Sequence, residues 1–352
     1  YAQINSKKLL EKEAIDLVVP NESKGELTVY VNELLNAKGK VSRFPSHLKA
    51  VEDNKQTHFK SSAVLFETPQ IKERTRSFVK IQDGCNGFCA YCQIPLARGA
   101  SKSSPPSKAL SSIEKLLEQG VPEIVLTGIH LGDYGRDLSE QELSWCKDAK
   151  QPFVEFLKRL LPNPKLKRLR LSSFEPSEVS DEMLKLLSEY KDKVCDHFHL
   201  PLQSGSDKIL KLMGRQYTCL EYQKTCEAIR KYFPKAHLSA DVIPGFPGEE
   251  EKEFLETVEF IKLCKLSSLH VFPYSKRPNT RALRMPGHLD RSLVKQRAET
   301  LRKLSLDLFQ NYKRQFIDSY VRVLWEKETE EGEFIGKTQN YLAVRSLSHE
   351  NG

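Results

Sequence analysis

The sequence predicts an α/β fold. Six βα units form a parallel sheet closed wholly or partly into a barrel, preceded by the remnant of another α/β domain and followed by a small all-β module. Three observations predict it. Short apolar runs alternate with amphipathic helical stretches from Ser77 onward, the pattern of a parallel sheet. There are six such units, which suits a barrel or an incomplete barrel better than a small doubly wound sheet. Each run also ends in small, polar or turn-forming residues, at the edge where parallel barrels carry their chemistry.

The elements follow in chain order. Residues 1–60 read as the C-terminal part of an N-terminal domain: a strand candidate, Ile15–Val19, closed by Pro20 and Asn21, then a helix at Glu26–Leu35 with Leu27, Tyr30, Val31, Leu34 and Leu35 at helical spacing. Gly39 to Ser77 is a polar linker with one strand candidate, Ala63–Phe66. The core spans 71–302. Its strands are expected at Phe78–Ile81, Ile124–Thr127, Leu166–Leu171, His197–Leu202, Leu238–Ile243 and Leu269–Phe272. Helices are expected between them at Ser107–Gln119, Phe153–Leu161, Ser180–Tyr190, Cys219–Phe233 and Glu250–Cys264. In the first, Leu110, Ile113, Leu116 and Leu117 form one stripe, which Gly120 and Pro122 end. A polar insertion, Arg136–Lys150, carries Trp145 and Cys146 without an assigned function. A long helix runs from Asp290 to Arg314. Residues 304–352 form the terminal module, with strands at Tyr320–Trp325 and Gly332–Val344 around the acidic turn Glu326–Glu331.

The strand ends run into Asp83-Gly84-Cys85, Thr127-Gly128-Ile129, Ser172 to Pro176, Gln203-Ser204-Gly205, Pro244 to Gly248 and Pro273-Tyr274-Ser275. Any single βα loop favours Gly, Ser and Pro for its turn alone. Six of them, with cysteines crowded into the first, point to a site.

Composition narrows the class. The chain has 352 residues, 39% hydrophobic, which excludes a disordered chain. No apolar stretch reaches the ~18 residues of a membrane span, and Tyr1–Leu10 holds no secretory signal. The absence of an initiator Met reads as a portion of a longer protein. Lys and Arg exceed Asp and Glu by 55 to 47, a net +8 that permits a nucleic-acid partner without requiring one. Eight cysteines are too sparse for a disulfide scaffold. Cys146, Cys195, Cys219, Cys226 and Cys264 are scattered, while three crowd together, which suits a reducing cytoplasm and one metal site.

That crowded segment is Cys85-Asn-Gly-Phe-Cys89-Ala-Tyr-Cys92, spaced C-x3-C-x2-C. Three thiolates alone do not close a four-coordinate zinc site. Zinc with a distant fourth ligand, His130 or His199, and reduced core cysteines are the two bland readings. A cubane iron–sulfur cluster normally takes four cysteines. Held by three, it keeps one iron open, as a reactive site needs. Gly84 and Gly87 permit the tight backbone path around such a group.

With Tyr91 before the last cysteine, the segment resembles the signature of the radical S-adenosylmethionine (SAM) superfamily. The resemblance implies a radical SAM barrel and a [4Fe-4S] cluster held by Cys85, Cys89 and Cys92. Its open iron would be chelated by the amino and carboxylate groups of SAM. The resemblance implies that such a pair would supply a 5′-deoxyadenosyl radical for hydrogen abstraction. The stretches Phe78 to Cys85, Thr127 to Gly135, His199 to Ser206, Asp241 to Glu249 and Phe272 to Arg277 resemble the methylthiotransferases. The runs His270-Val-Phe-Pro-Tyr-Ser-Lys-Arg277 and Thr127-Gly-Ile-His-Leu-Gly132 are most similar to the branch acting on N6-threonylcarbamoyladenosine in tRNA.

The same resemblance implies roles for single residues, most of them beside a plainer one. Tyr91 sits near the adenine of SAM or is a core aromatic. Gly128 meets the SAM amino group or is a turn glycine. Glu175 binds the amino group or ribose hydroxyls, or caps the Pro176 turn. Gln203 and Ser204 bond the ribose. Arg215 pairs with the SAM carboxylate or is a solvated charge. Ile243 packs on the adenine or on the core. His197 and His199 alternate on one strand and read as satisfied core histidines rather than metal ligands. The family also carries a second [4Fe-4S] cluster on three N-terminal cysteines, yet residues 1–84 contain no cysteine. Tyr1-Ala-Gln-Ile-Asn5 resembles the segment just after those ligands, so the first domain reads as truncated.

The terminal strands, with Tyr320 to Trp325 and Gly336 to Leu342, resemble the RNA-binding TRAM module. Residues 276–315 carry 11 Lys and Arg against three acids, a net +8 beside Trp325 and Tyr341, which offers phosphate attraction and base stacking. Lys276, Arg277, Arg281 and Arg284 are expected to guide a tRNA anticodon stem-loop, and an electron donor such as a flavodoxin or ferredoxin is implied. The competing readings are a methylthiotransferase for another adenosine or for a ribosomal-protein aspartate, and a non-catalytic iron–sulfur RNA-binding protein.

Overall fold

Strands form where alternate side chains of each run, such as Phe198 and Leu238, pack into the core shared with the helices. The computed structural model describes residues 9, 18–19, 27–36 and 75–347, apart from 147 and 149. Helix α1 (Leu27–Asn36) forms where helical spacing predicts it. The strand expected at Ala63–Phe66 lies outside the described residues, as does that at Ile15–Val19 except for Val18 and Val19, which are in no strand.

The core opens with β1 (Arg76–Lys80) and a two-residue antiparallel pair, β2 (Gln82–Asp83) and β3 (Lys102–Ser103), enclosing α2 (Ile94–Arg98). Then come α3 (Pro106–Glu118), β4 (Glu123–Thr127), α4 (Pro152–Leu160), β5 (Arg168–Leu171), α5 (Asp181–Glu189), β6 (His197–His199), α6 (Asp207–Met213), α7 (Cys219–Tyr232), β7 (His237–Val242), α8 (Glu251–Leu263) and β8 (Ser268–Val271). The strands pair in parallel as β1-β4-β5 and β6-β7-β8. A bridge between Leu169 and Val194 joins the two halves, so six strands lie side by side in chain order. Among the described residues no ladder joins β8 to β1, and the barrel is partial.

Alternation sorts the side chains. Leu169 and Leu171 of β5 enter the core shared with the helices, while Arg168 and Arg170 face the lumen. Phe198 packs on Phe233 beyond α7, which turns His197 and His199 inward. The lumen is therefore polar. Glu123, fully buried, is met by Arg170 Nε at 2.9 Å and Arg168 Nε at 3.1 Å. Strand β6 is shorter than predicted: Pro201 has no N–H to pair, and Gln203 turns to φ 65°.

Helix α9 (Arg291–Arg314) spans 24 residues, about 36 Å. Val294, Ala298 and Leu301 anchor it, and Arg297 donates to Glu249 at 2.7 Å. Among the described residues the terminal module is a meander of three antiparallel strands, β9 (Val323–Glu328), β10 (Phe334–Thr338) and β11 (Ala343–Ser346), one more than predicted, because a turn at 339–342 splits the Gly332–Val344 run. That turn docks at the N-terminal ends of the barrel strands. The Arg170 guanidinium lies 3.8 Å over the Tyr341 ring and Nη1 donates to the Gln339 carbonyl at 2.8 Å. Asn340 donates to the Tyr312 hydroxyl at 2.9 Å. Tyr341, expected as a stacking platform for bases, instead sits between Arg170 and His197. No helix among the described residues is long and apolar enough to cross a membrane.

Candidate metal centre

The three clustered cysteines sit on a loop clamped at both ends. Cys85 N–H donates to the Gly99 carbonyl, and a Cβ on Gly84 (φ 74°) would strike the Ala100 oxygen at 2.0 Å, so only glycine fits there. Ala90 N–H donates to Met213, the last residue of α6, at 2.7 Å, and the Ala90 carbonyl accepts from Ala282 at 2.8 Å. Each sulfur faces a donor: Gly87 N–H at 3.3 Å from Cys85, Arg215 Nη1 at 3.2 Å from Cys89 and Ile94 N–H at 3.4 Å from Cys92. His130 Nδ1 stands 3.9 Å from the Cys85 sulfur, and its Nε2 meets Glu178 at 2.6 Å.

The spread of the sulfurs bears on which metal group they suit. Thiolates on one tetrahedral zinc stand about 3.8 Å apart. Among the described residues only one trio of donor atoms falls within 4.8 Å, and it is not the cysteines. Three free thiols that do not all lie within 4.8 Å of one another fit a polynuclear cluster better than a single ion. Gly87 leaves the space between them empty, since a Cβ there would stand 3.3 Å from the Cys85 sulfur and 3.8 Å from that of Cys89. Burial pushes the Cys92 thiol up. Burial would lower His130, but its contacts with Cys85 and Glu178 push it up to about 10.

Around the thiols the structure gathers most of the predicted residues. Arg215 is ion-paired with Glu175, and its Nε donates to the Tyr217 hydroxyl at 3.2 Å. Glu175 is also the cap of the Pro176 turn. Tyr91 and Ile243 pack against the same small apolar cluster of Ala90, Ile209, Met213, Phe246 and Ala282. Burial raises the Tyr91 hydroxyl well above its ordinary value and keeps it neutral. Gln203 is buried with Oε1 unpartnered, as are the hydroxyls of Ser172 and Tyr274. Three orphaned polar atoms at the ends of β5, β6 and β8 suit a polar ligand at the mouth of the barrel. Gly128 lies against Gln82, where a Cβ would come within 2.8 Å of Oε1. Ser204 is not brought to the site: its hydroxyl is held by Thr257 of α8 at 3.2 Å and accepts from Ser206 N–H.

Lys276, Arg277, Arg281 and Arg284 are all exposed, and their segment borders the cysteine loop through Ala282–Ala90 and Gln93–Pro278 contacts. Sequence reasoning misses two supports. Gln82, fully buried, donates to Gly84 O and Ser101 Oγ and accepts from His130 N–H. His130, weighed only as a zinc ligand, orders the Cys85 side through Glu178. The histidine preceding Leu131 in the Thr127–Gly132 loop is the signal that marks it.

Residues 79–261 match the radical SAM superfamily. The chain is 36% identical, over 98% of its length and 73% of the relative's, to threonylcarbamoyladenosine tRNA methylthiotransferase MtaB of Bacillus subtilis. It is 35% identical to MtaB of Aquifex aeolicus, over 98% of this chain and 78% of that one. It is likewise 35% identical to tRNA-2-methylthio-N(6)-dimethylallyladenosine synthase of Dictyoglomus thermophilum, over 80% of this chain and 62% of that one.

Proposed function

Because this chain belongs to the radical SAM superfamily, among its tRNA methylthiotransferases, we propose that it adds a methylthio group to C2 of N6-threonylcarbamoyladenosine at position 37 of tRNA. The observation that supports this most is the 36% identity to a threonylcarbamoyladenosine methylthiotransferase across nearly the whole chain. When bound, a [4Fe-4S] cluster and SAM supply hydrogen abstraction from an unactivated carbon. On this reading Cys85, Cys89 and Cys92 hold the cluster, with their backbone and Arg215 donors steadying the sulfurs. Arg215 and Glu175 offer opposite charges to the carboxylate and amino groups of SAM. Gln203 Oε1 and the Tyr274 hydroxyl are poised for ribose or base hydrogen bonds, with Gly128 at the rim. Tyr91 and Ile243 make the apolar wall for adenine and exclude water there.

The assignment divides the chain into the end of an N-terminal domain (1–60), the radical SAM core (71–302) and a TRAM-like module (304–352). On this reading sulfur insertion would draw on a second cluster, for which residues 1–84 offer no cysteine, and a flavodoxin or ferredoxin would deliver the electron. The anticodon stem-loop approaches over Lys276, Arg277, Arg281 and Arg284, in the cytoplasm where tRNA is found. A second reading, a dimethylallyladenosine target, rests on the Dictyoglomus relative at nearly equal identity. Mass spectrometry of tRNA nucleosides from a deletion strain decides. Loss of the 2-methylthio derivative of threonylcarbamoyladenosine is expected; loss of the dimethylallyl derivative alone would transfer the assignment. Release of 5′-deoxyadenosine from SAM under dithionite excludes a non-catalytic RNA-binding protein.

A further inference from the structure

A second constellation sits inside the barrel, apart from the cysteines and unused by the proposed methylthiolation. His199 of β6, Asp241 of β7 and His270 of β8 project from three adjacent strands into the lumen. Two imidazoles converge on a single carboxylate oxygen: His199 Nε2 is 3.1 Å and His270 Nδ1 3.3 Å from Asp241 Oδ1. All three donor atoms lie within 4.8 Å of one another, the only such trio among the described residues. Ligands held about 2.0–2.1 Å from one ion, at angles between 90° and 109°, stand about 2.9–3.4 Å apart. Both separations from Asp241 Oδ1 fall in that interval.

The surroundings are those of a ligating set. The remaining nitrogen of His199, Nδ1, is fixed by the Ser239 hydroxyl at 2.9 Å, the outer contact that orients a metal-bound imidazole. The two rings stack at 5.1 Å and 26°, so neither turns freely. One side is open: the His270 side chain is 59% exposed and that of Asp241 27%. Gln203 N–H donates to the Asp241 carbonyl at 2.8 Å, which ties the end of β6 to the strand that carries the carboxylate.

We propose that His199, Asp241 and His270 form a mononuclear site for a divalent first-row transition metal, with its free coordination positions turned into the lumen. Two imidazoles and one carboxylate select zinc or ferrous iron over magnesium or calcium, which prefer all-oxygen sets. The alternative is a hydrogen-bonded triad in which both imidazoles donate to Asp241 and no metal is held.

Zinc is the probe that separates these. Cluster-loaded protein, its thiols occupied by iron, is dialysed against zinc and analysed for both elements. One zinc per chain is expected, with a zinc-edge X-ray absorption spectrum showing imidazole nitrogen and oxygen neighbours and no sulfur. His270→Ala and Asp241→Asn should each weaken binding by more than the ~10–100-fold that loss of an outer partner costs, and Ser239→Ala by about that amount. Because His270 is largely exposed, His270→Ala should unfold in the absence of zinc at the parent's temperature. Less than one zinc on the parent protein, sulfur in its first shell, or undiminished binding by His270→Ala would each overturn the proposal.

Discussion

Arg215 concentrates three interactions in one side chain: a donor to the Cys89 sulfur, an ion pair with Glu175 and a bond to Tyr217. Burial would favour its neutral form, but Tyr217 and Glu175 hold it charged. Arg215→Ala removes a charge-assisted hydrogen bond worth about 1.5–3 kcal/mol. The expected loss in 5′-deoxyadenosine release is therefore about 10–100-fold. Arg215→Lys should recover only part, because an ammonium cannot fork between a sulfur and a carboxylate. An unaltered rate in both variants would remove Arg215 from the site. Gly87 gives an independent check on the thiols. A methyl group placed 3.3 Å from the Cys85 sulfur would intrude on the space the proposed cluster takes. Gly87→Ala should cost about 1–3 kcal/mol, at least a fivefold loss of cluster affinity, read as iron and sulfide per chain. The cysteines themselves are legible in sequence because their spacing is local. The Arg215–Glu175 pair joins residues 40 apart, and no local pattern announces it.

At the scale of elements, the six strands are legible because each is an apolar run bounded by helical periodicity. The docking of the terminal module is not. Tyr341 in a polar turn carries no local mark that it inserts between Arg170 and His197. The lumen triad depends on the register of three strands, which alternation alone does not fix. That docked joint predicts acid sensitivity. His237 stacks on Tyr312 at 4.9 Å within the joint, and burial lowers its imidazole to about 4. Unfolded, it titrates near 6.5. Between those values the unfolded chain holds the extra proton, so this group's contribution is complete above pH ~6.5 and fades as pH falls towards 4. His197, lowered by burial in the same joint, acts in the same direction. From His237 alone, stability at pH 5 should fall about 2 kcal/mol below that at pH 7. Urea unfolding at the two pH values checks this, and His237→Gln should flatten the difference. Tyr341→Ala should cost about 2 kcal/mol and speed proteolysis around residues 320–347. Equal proteolysis of parent and variant would mean that the turn is not what holds the module.

On the scale of the whole molecule, the cysteine loop lies at one end of the barrel and the terminal module at the other, with α9 running between them. Its N-terminal turns meet Gly245 and Glu249 at the mouth, and Tyr312 near its far end bonds Asn340 of the module. Arg291, Lys295, Arg302, Lys303, Lys313 and Arg314 are exposed along its length. On the proposed function these cations, with Lys276, Arg277, Arg281 and Arg284, would offer phosphate contacts from the thiols towards the β-module, and α9 at about 36 Å is long enough to follow an RNA stem. This gives the local +8 a direction that composition cannot. A stem laid on these cations would place its loop beside the cysteines, where the reacting base must be. Every cation removed from a phosphate should reduce the slope of log affinity against log salt by about 0.7–0.9. Arg281→Ala combined with Arg284→Ala should therefore lower that slope by about 1.4–1.8 and weaken tRNA binding, most at low salt. Arg302→Ala with Lys303→Ala, farther along α9, should do the same without altering 5′-deoxyadenosine release in the absence of tRNA. If the second pair leaves affinity and slope unchanged while the first moves both, the stem departs from α9 and only the rim of the barrel mouth grips the RNA.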